Sequence, residues 1–241
     1  MTNQSIITIT FAAYISMMFC IGWLALRRTH SQSDYILGGR KLGKWTTAIS
    51  AGASDMSGWL LLGLPGYAFL AGLEAIWIAF GLYIGTCINW HLVAPRLRSQ
   101  TQSYNNALTI PEFFQYRFKD NTHTLRIVSA IIILIFYFIY TSSGLVAGGK
   151  LFESVFGISY ETAVIISAMT ILIYTCIGGF LAVSWTDLIQ GLLMAFALSY
   201  VTIVAIYSVQ GFGALYDWMS IMNTDLINPY TSVDNGRLGF I

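Results

Sequence analysis

Asp55 is a single acidic residue inside a long apolar stretch. It lies in the segment Ser50–Gly58, whose small residues and glycines make a poor helix. A carboxylate at membrane depth is costly, so it is normally paired or placed on an ion or substrate path. Irregular backbone inside a bilayer is tolerated only where it is buried in protein or lines a cavity. We therefore predict that this helix is interrupted near Asp55 and that the acid serves a binding site.

The composition is that of an integral membrane protein. Of the 241 residues, 56% are apolar and 10% are charged, whereas a soluble domain has about 25% charged residues. The three cysteines lie in apolar runs without metal-type spacing, which indicates buried small side chains. The chain has no phosphate-binding loop and no nucleic-acid signature, which argues against ATP-driven transport and against a nucleic-acid partner.

Six apolar runs are each long enough to cross the hydrocarbon core as a helix. They are Ile6–Leu26, Trp45–Gly72, Ala75–Ala94, Ile127–Gly149, Tyr160–Leu181 and Leu188–Tyr207. Ten of the twelve Lys and Arg residues lie in the loops after the first and third runs. The positive-inside rule puts those loops in the cytoplasm and the N-terminus outside.

Three helix starts or short helices are expected outside these runs. Thr109 is a candidate N-cap, followed by Pro111 and Glu112. Ser184–Asp187 is expected to open the sixth run with an acid in its first turn. A short amphipathic helix is expected over Ala214–Met222.

Glycines mark two faces that helices use for close approach. Gly81 and Gly85 form one Gly-x-x-x-Gly pair, which indicates packing. Gly144 and Gly148 form another, on the same helical face as Tyr140 and Thr141. That second face either lines a polar cavity or only joins helices, and the sequence favours neither.

Four stretches together resemble the sodium/solute symporter family. They are residues 34–40, 50–60, 63–66 and 178–187, which include the strings Ala-Ser-Asp-Met-Ser-Gly-Trp and Gly-Gly-Phe-Leu-Ala. The resemblance implies an all-α membrane protein with a LeuT-type inverted repeat. Residues 1–44 would hold an extra N-terminal helix and a basic loop, and residues 45–209 the first five-helix repeat. Residues 210–241 would be an outer loop, with the second repeat absent as a missing C-terminal half.

The resemblance also implies sodium-coupled symport of L-proline across the bacterial inner membrane. It implies sodium ligands at Asp55 and at the backbone carbonyls of Ala53 and Met56. Residues expected to face the substrate are Ser57, Gly58, Trp59 and Tyr140. Arg40 would act in coupling, and Asp187 on the cytoplasmic ion path.

Each of these roles has a simpler alternative. Asp55 would be a protonated structural group, because burial favours the neutral carboxyl. Asp187 would be a helix cap and Arg40 a cytoplasmic anchor. At the level of function, the alternatives are symport of another small carboxylate, such as pantothenate, or of another amino acid, and a membrane sensor or regulatory module. An enzyme is not expected, because Asp55 has no histidine or second acid at similar depth. The chain alone is expected to be inactive, since half of the site would be absent.

Overall fold

The computed structural model describes residues 3–55, 58–232 and 236–237. The described chain is helical except for one pair of two-residue strands. The α-helices are α1 (Asn3–Leu26), α2 (Gln32–Leu37), α3 (Lys44–Asp55), α4 (Leu64–Ala71), α5 (Ile76–Ile88), α6 (Ala94–Ser103), α7 (Ile110–Arg117), α8 (Thr124–Phe156), α9 (Tyr160–Ser208) and α10 (Phe212–Met222). Three short 3-10 turns cover Gly38–Arg40, Gly72–Ala75 and Thr224–Ile227. Strands β1 (Thr231–Ser232) and β2 (Gly236–Arg237) pair antiparallel.

Four described helical stretches are long and apolar enough to cross a membrane. They are Ser5–Leu26, Leu64–Ser103, Thr124–Phe156 and Tyr160–Ser208. Their outer faces carry large exposed apolar side chains, such as Leu134 and Phe138 of α8. Such faces are favourable only against lipid or protein. The all-helical character is confirmed, while the count of six spans stays a prediction.

The second apolar run does not wind as one regular α-helix. Helix α3 is described as far as Asp55 and helical backbone is described again from Gly58, with a π-helical turn at Trp59–Gly63 before α4 begins at Leu64. Short π-helical segments within α-helices are often found at functional sites. Met56 and Ser57, where the interruption is predicted, lie outside the described residues.

The third apolar run continues further than the sequence indicated. We predicted an end at Ala94, but helical backbone continues from α5 through a π-helical turn at Asn89–Val93 into α6. The continuation is polar, so hydropathy alone did not reveal it. Hydropathy also underestimated the length of α8, which extends beyond its apolar run at both ends.

The break between the fifth and sixth runs lies earlier than predicted. Helix α9 covers both runs, and its one residue with non-helical angles is Gly179, with φ 58° and ψ −153°. The expected helix start at Ser184 therefore lies inside the helix, where Ser184 and Thr186 are fully buried. The break occurs earlier because these angles are nearly restricted to glycine.

The chain divides into two compact units. The first contains Met1–Gly58 and Tyr104–Leu193, and the second contains Trp59–Ser103 and Met194–Ile241. The three-part division expected from the sequence stays a prediction.

Glycines allow close packing of α1, α8 and α9 in the first unit. A Cβ on Gly178 would lie 2.9 Å from the carbonyl oxygen of Gly22 on α1. A Cβ on Gly149 of α8 would lie 2.9 Å from the Tyr160 ring on α9. These are the close backbone approaches that small residues permit between apolar helices.

Helix α2 packs on the break in α9. A Cβ on Gly179 would lie 2.7 Å from both the carbonyl oxygen and a ring carbon of Tyr35. The Tyr35 hydroxyl donates to the carbonyl oxygen of Cys176 at 3.3 Å, one turn before the break. Ser31 and Asp34 form a capping box that starts α2 and fixes the position of Tyr35.

Two helices outside the long apolar runs agree with the sequence. Thr109 caps α7, where its hydroxyl accepts from the amide of Glu112 at 3.3 Å. Helix α10 contains the whole predicted segment Ala214–Met222.

In the second unit, the segment that follows α10 contacts the region of the turn between α4 and α5. The indole Nε1 of Trp77 donates to the carbonyl oxygen of Pro229 at 2.7 Å. Gly72, with φ 65°, lies against the backbone of Leu226 so closely that no side chain would fit there.

Candidate functional site

Helix α3 presents two serines to α9. The hydroxyls of Ser50 and Ser54 both donate to Oδ2 of Asp187, each at 2.9 Å. These serines are four residues apart and therefore lie on the same face of α3. Ser50 is buried. This contact places a carboxylate and two hydroxyls together inside the first unit.

Close packing of α3 on α9 makes this contact possible. Gly191 follows Asp187 by one turn, and a Cβ there would lie 2.8 Å from the Ile49 side chain. The same added atom would meet the Cβ of Ala53 at 3.4 Å. A larger residue at 191 would push the carboxylate of Asp187 away from the serines.

Tyr140 of α8 contacts the same end of α3. Its hydroxyl donates to the carbonyl oxygen of Ser54 at 3.1 Å. This contact places the Tyr140 hydroxyl beside the residues expected to bind sodium and substrate.

The structure brings some of the sequence-predicted residues together and leaves others apart. Asp187 and Tyr140 both contact α3, through Ser54. Asp55, the residue that the sequence analysis started from, is the last residue described before the gap at 56–57, and its side chain is exposed. Asp187, expected either on an ion path or as a cap, is not a cap, because it lies inside α9.

Arg40 makes its contact elsewhere in the first unit. Its Nη2 donates to the carbonyl oxygen of Ala107 at 3.0 Å, in the loop before α7. Its Nη1 is buried and has no hydrogen-bond partner among the described residues. The positive φ of 56° is uncommon for a residue with a side chain.

Gly58 fits tightly against α8. A Cβ at this position would lie only 2.6 Å from the Cβ of Ala147, so a side chain would displace α8. Trp59 starts the π-helical turn of the second unit and is 49% exposed. Met56 and Ser57, the remaining expected ligands, lie outside the described residues.

A cavity of about 480 Å³ lies within the first unit. Gly58, Tyr140, Thr141, Gly144 and Gly148 all line it. Among the described residues, a Cβ added to Gly144 or Gly148 would meet no atom within 4 Å, so neither glycine is at a close helix contact there. The structure therefore favours the cavity interpretation of this face over the packing interpretation.

The other glycine pair gives the same geometric result. Gly81 and Gly85 of α5 also have no atom within 4 Å of an added Cβ. The close packing predicted for this pair is not found among the described residues.

Two polar residues of the cavity were not found from the sequence. Gln190 donates from Nε2 to the hydroxyl of Tyr14 at 2.5 Å and approaches Met18 Sδ at 3.5 Å. The sequence did contain one signal for Gln190, because this residue follows Asp187 by one helical turn and therefore lies on the same helical face. Tyr14 gave none, since a lone tyrosine in an apolar run is ordinary.

The oxygen atoms around α3 suit a hard cation. No three His, Cys, Asp or Glu side chains converge within the described part of the chain. The oxygen atoms at the site are instead those of one carboxylate, two serine hydroxyls and the main-chain carbonyl of Ser54. Hard cations prefer such oxygen ligands.

The model of the sodium:solute symporter family matches residues 35–236. This chain belongs to that family. Its members are transporters rather than enzymes, and together with the four apolar helices this makes the chain an integral membrane protein.

Several curated proteins are similar over nearly the whole chain. The sodium/proline symporter of Escherichia coli (strain K12) is 55% identical over 222 residues, which is 91% of this chain and 44% of the relative. The osmoregulated proline transporter OpuE of Bacillus subtilis (strain 168) is 47% identical over 93% of this chain and 46% of its own length. The sodium/proline symporter of Staphylococcus aureus (strain JH9) is 45% identical over 90% of this chain and 43% of its own length.

The chain thus spans less than half of the length of these relatives. No solved structure matches it significantly.

Proposed function

We propose that this chain contributes the N-terminal half of a sodium-coupled L-proline symporter. The main support is its 55% identity, over 91% of its length, to a protein named sodium/proline symporter. The proposal includes a LeuT-type fold, a bacterial inner-membrane location and an outer N-terminus. These follow the resemblance and the distribution of basic residues.

In the proposed site, a sodium ion binds where α3 ends. The ligands are Asp55 and the carbonyls of Ala53 and Met56, and the C-terminal end of α3 adds a negative helix dipole. The contacts of Asp187 with Ser50 and Ser54 support an ion path next to this site. A carboxylate with two hydroxyls offers a passing cation oxygen ligands in place of water.

The substrate binds beside the sodium ion in this proposal. Gly58 and Tyr140 line the cavity, with Ser57 and Trp59 as neighbours in sequence. The N-terminus of the helical segment after Gly58 would attract the carboxylate of an amino acid. Arg40 takes part in coupling through the loop before α7, where its guanidinium contacts Ala107.

Uptake of radiolabelled L-proline tests the proposal. The assay uses cells that lack their own proline uptake and compares sodium with choline in the medium. We expect uptake from this chain joined to the remaining C-terminal part of the Escherichia coli relative, and none from this chain alone. Excess unlabelled pantothenate separates the substrates, since it would compete only at a site for other carboxylates.

Acidic residues provide the matched variants. Asp55→Asn and Asp187→Asn should each reduce sodium-dependent uptake at least about tenfold, because each removes the charge that favours a cation. Asp217→Asn, at an exposed acid of α10, should leave uptake unchanged. Equal uptake by all three variants, or uptake that does not depend on sodium, would rule out the proposed site.

A further inference from the structure

The cavity of the first unit has two ends with different chemistry. Tyr140 and Thr141 of α8 line one end, which we call the polar end, and Gly58 lies between the two ends, against Ala147. Phe11 of α1 and Phe152 of α8 line the other end, which we call the aromatic end. Tyr140 and Phe152 are twelve residues apart on one helix, so the ends are about 18 Å apart.

Two phenylalanines line the aromatic end, and the ring of a third contacts both of them. The rings of Phe11 and Phe152 meet edge to face, with their centroids 5.1 Å apart. Phe156 lies 5.0 Å from Phe11 and 5.6 Å from Phe152. Aromatic rings prefer such edge-to-face contacts, and a further ring can add to them.

Two glycines keep the passage between the ends open. Gly144 and Gly148 lie between Tyr140 and Phe152 along α8, and both line the cavity. Neither glycine has an atom within 4 Å of an added Cβ. A side chain of ordinary size at either position would occupy this space.

The cavity is larger than the proposed substrate requires. Its volume of about 480 Å³ lies in the range of pockets that hold drug-sized ligands. L-proline is one small ring with a carboxylate and would fill only the polar end. None of the described residues lining the cavity is charged, so the remaining space suits an uncharged group.

We propose that the aromatic end is a subsite for an apolar or aromatic extension on a proline-like amino acid. The polar head binds near Tyr140, and the extension passes Gly58, Gly144 and Gly148 to reach Phe11 and Phe152. The position of the head rests on the proposed function. The subsite itself rests on the cavity alone.

A photoreactive probe tests this subsite directly. The probe is L-proline with a benzophenone group on its ring, added to the protein in nanodiscs and irradiated, with labelled positions mapped by mass spectrometry. We expect labelling at Phe11 and Phe152. Absence of label at this end would overturn the proposal.

Matched glycine variants decide whether the label enters through the cavity. Gly148→Leu should reduce labelling at least about tenfold, because the added side chain fills the passage. Gly148→Ala adds one methyl group into open space and should give a smaller reduction in a folded protein. Gly85→Leu of α5 adds the same volume outside the cavity and should leave labelling unchanged.

Two further outcomes complete the test. Equal labelling in Gly148→Leu and Gly85→Leu would mean that the probe reacts from the surrounding lipid, which would overturn the proposal. Labelling that is lost in Gly148→Leu but not displaced by excess L-proline would support the subsite. That result would count against the proposed function, so the two failures are distinguishable.

Discussion

Alanine in place of Gly179 should destabilise the first unit strongly. The backbone angles of this residue are nearly restricted to glycine, and holding another residue there costs about 1–3 kcal/mol. The added Cβ would also lie 2.7 Å from two atoms of Tyr35, and such overpacking costs about 1–3 kcal/mol. The expected loss is therefore about 2–6 kcal/mol in the free energy of unfolding.

Gly157→Ala is the matched control for this variant. Gly157 also has a positive φ, of 67°, but it lies in the left-handed helical region and no atom is within 4 Å of an added Cβ. Its replacement should cost only about 1–2 kcal/mol.

Denaturant unfolding in mixed micelles, followed by circular dichroism, measures both variants. Adding Tyr35→Ala to Gly179→Ala should restore the part of the loss that comes from the ring, but not the part that comes from the backbone. A loss for Gly179→Ala smaller than the loss for Gly157→Ala would refute the reasoning.

Three more predictions concern polar contacts. Ser50→Ala should destabilise the protein by about 1–3 kcal/mol in denaturant unfolding, because the half-buried Asp187 loses a hydroxyl donor. Thr109→Ala should lower the hydrogen-exchange protection of the first turn of α7 by about 1 kcal/mol, because the N-cap is lost. The pKa of Asp34 is lowered, mainly by the hydrogen bond from the Ser31 hydroxyl and to a smaller extent by two backbone amides. The ionised carboxylate of Asp34 should therefore stabilise α2 fully above about pH 4, and this stabilisation should be lost as the pH falls through the lowered pKa. Amide exchange of α2 as a function of pH measures this effect.

Each of these predictions has its own control. Ser208→Ala removes an exposed hydroxyl bonded only within α9 and should change stability little, so equal losses at positions 50 and 208 would contradict the first prediction. Thr109→Ser keeps a capping oxygen and should retain protection, and a loss equal to that of Thr109→Ala would contradict the second. Asp34→Asn should remove the pH dependence of exchange at Ser31, and its persistence would contradict the third.

The sequence predicted helices best where their signal is local. Thr109 and Glu112 predict the start of α7, because their side chains can accept hydrogen bonds from nearby backbone amides. The structure contains both hydrogen bonds. The long apolar runs likewise predicted α1 and α8. The sequence placed the break between the fifth and sixth runs after its true position at Gly179. This break depends on backbone angles that only Gly179 adopts within α9, and on contact with Tyr35, which is more than a hundred residues away in the chain.

The candidate site was predicted only in part for the same reason. Asp55 and Tyr140 stand out locally as polar groups in apolar runs. The partners of Asp187 are two serines on another helix, and serines are too common in this chain to be selected by type. The pairing of Gln190 with Tyr14 depends on how α1 packs on α9, which spacing along the sequence does not give.

The π-helical turn at Asn89–Val93 has a consequence for the rotation of α6 about its own axis. A π-helical turn holds one residue more than an α-helical turn, and each residue advances an α-helix by about 100°. Every side chain from Ala94 to Ser103 is therefore rotated by about that angle from where an unbroken α-helix would carry it. Deleting one residue within Asn89–Val93 would restore ordinary winding and turn Arg96 and Arg98 toward a different side of the helix.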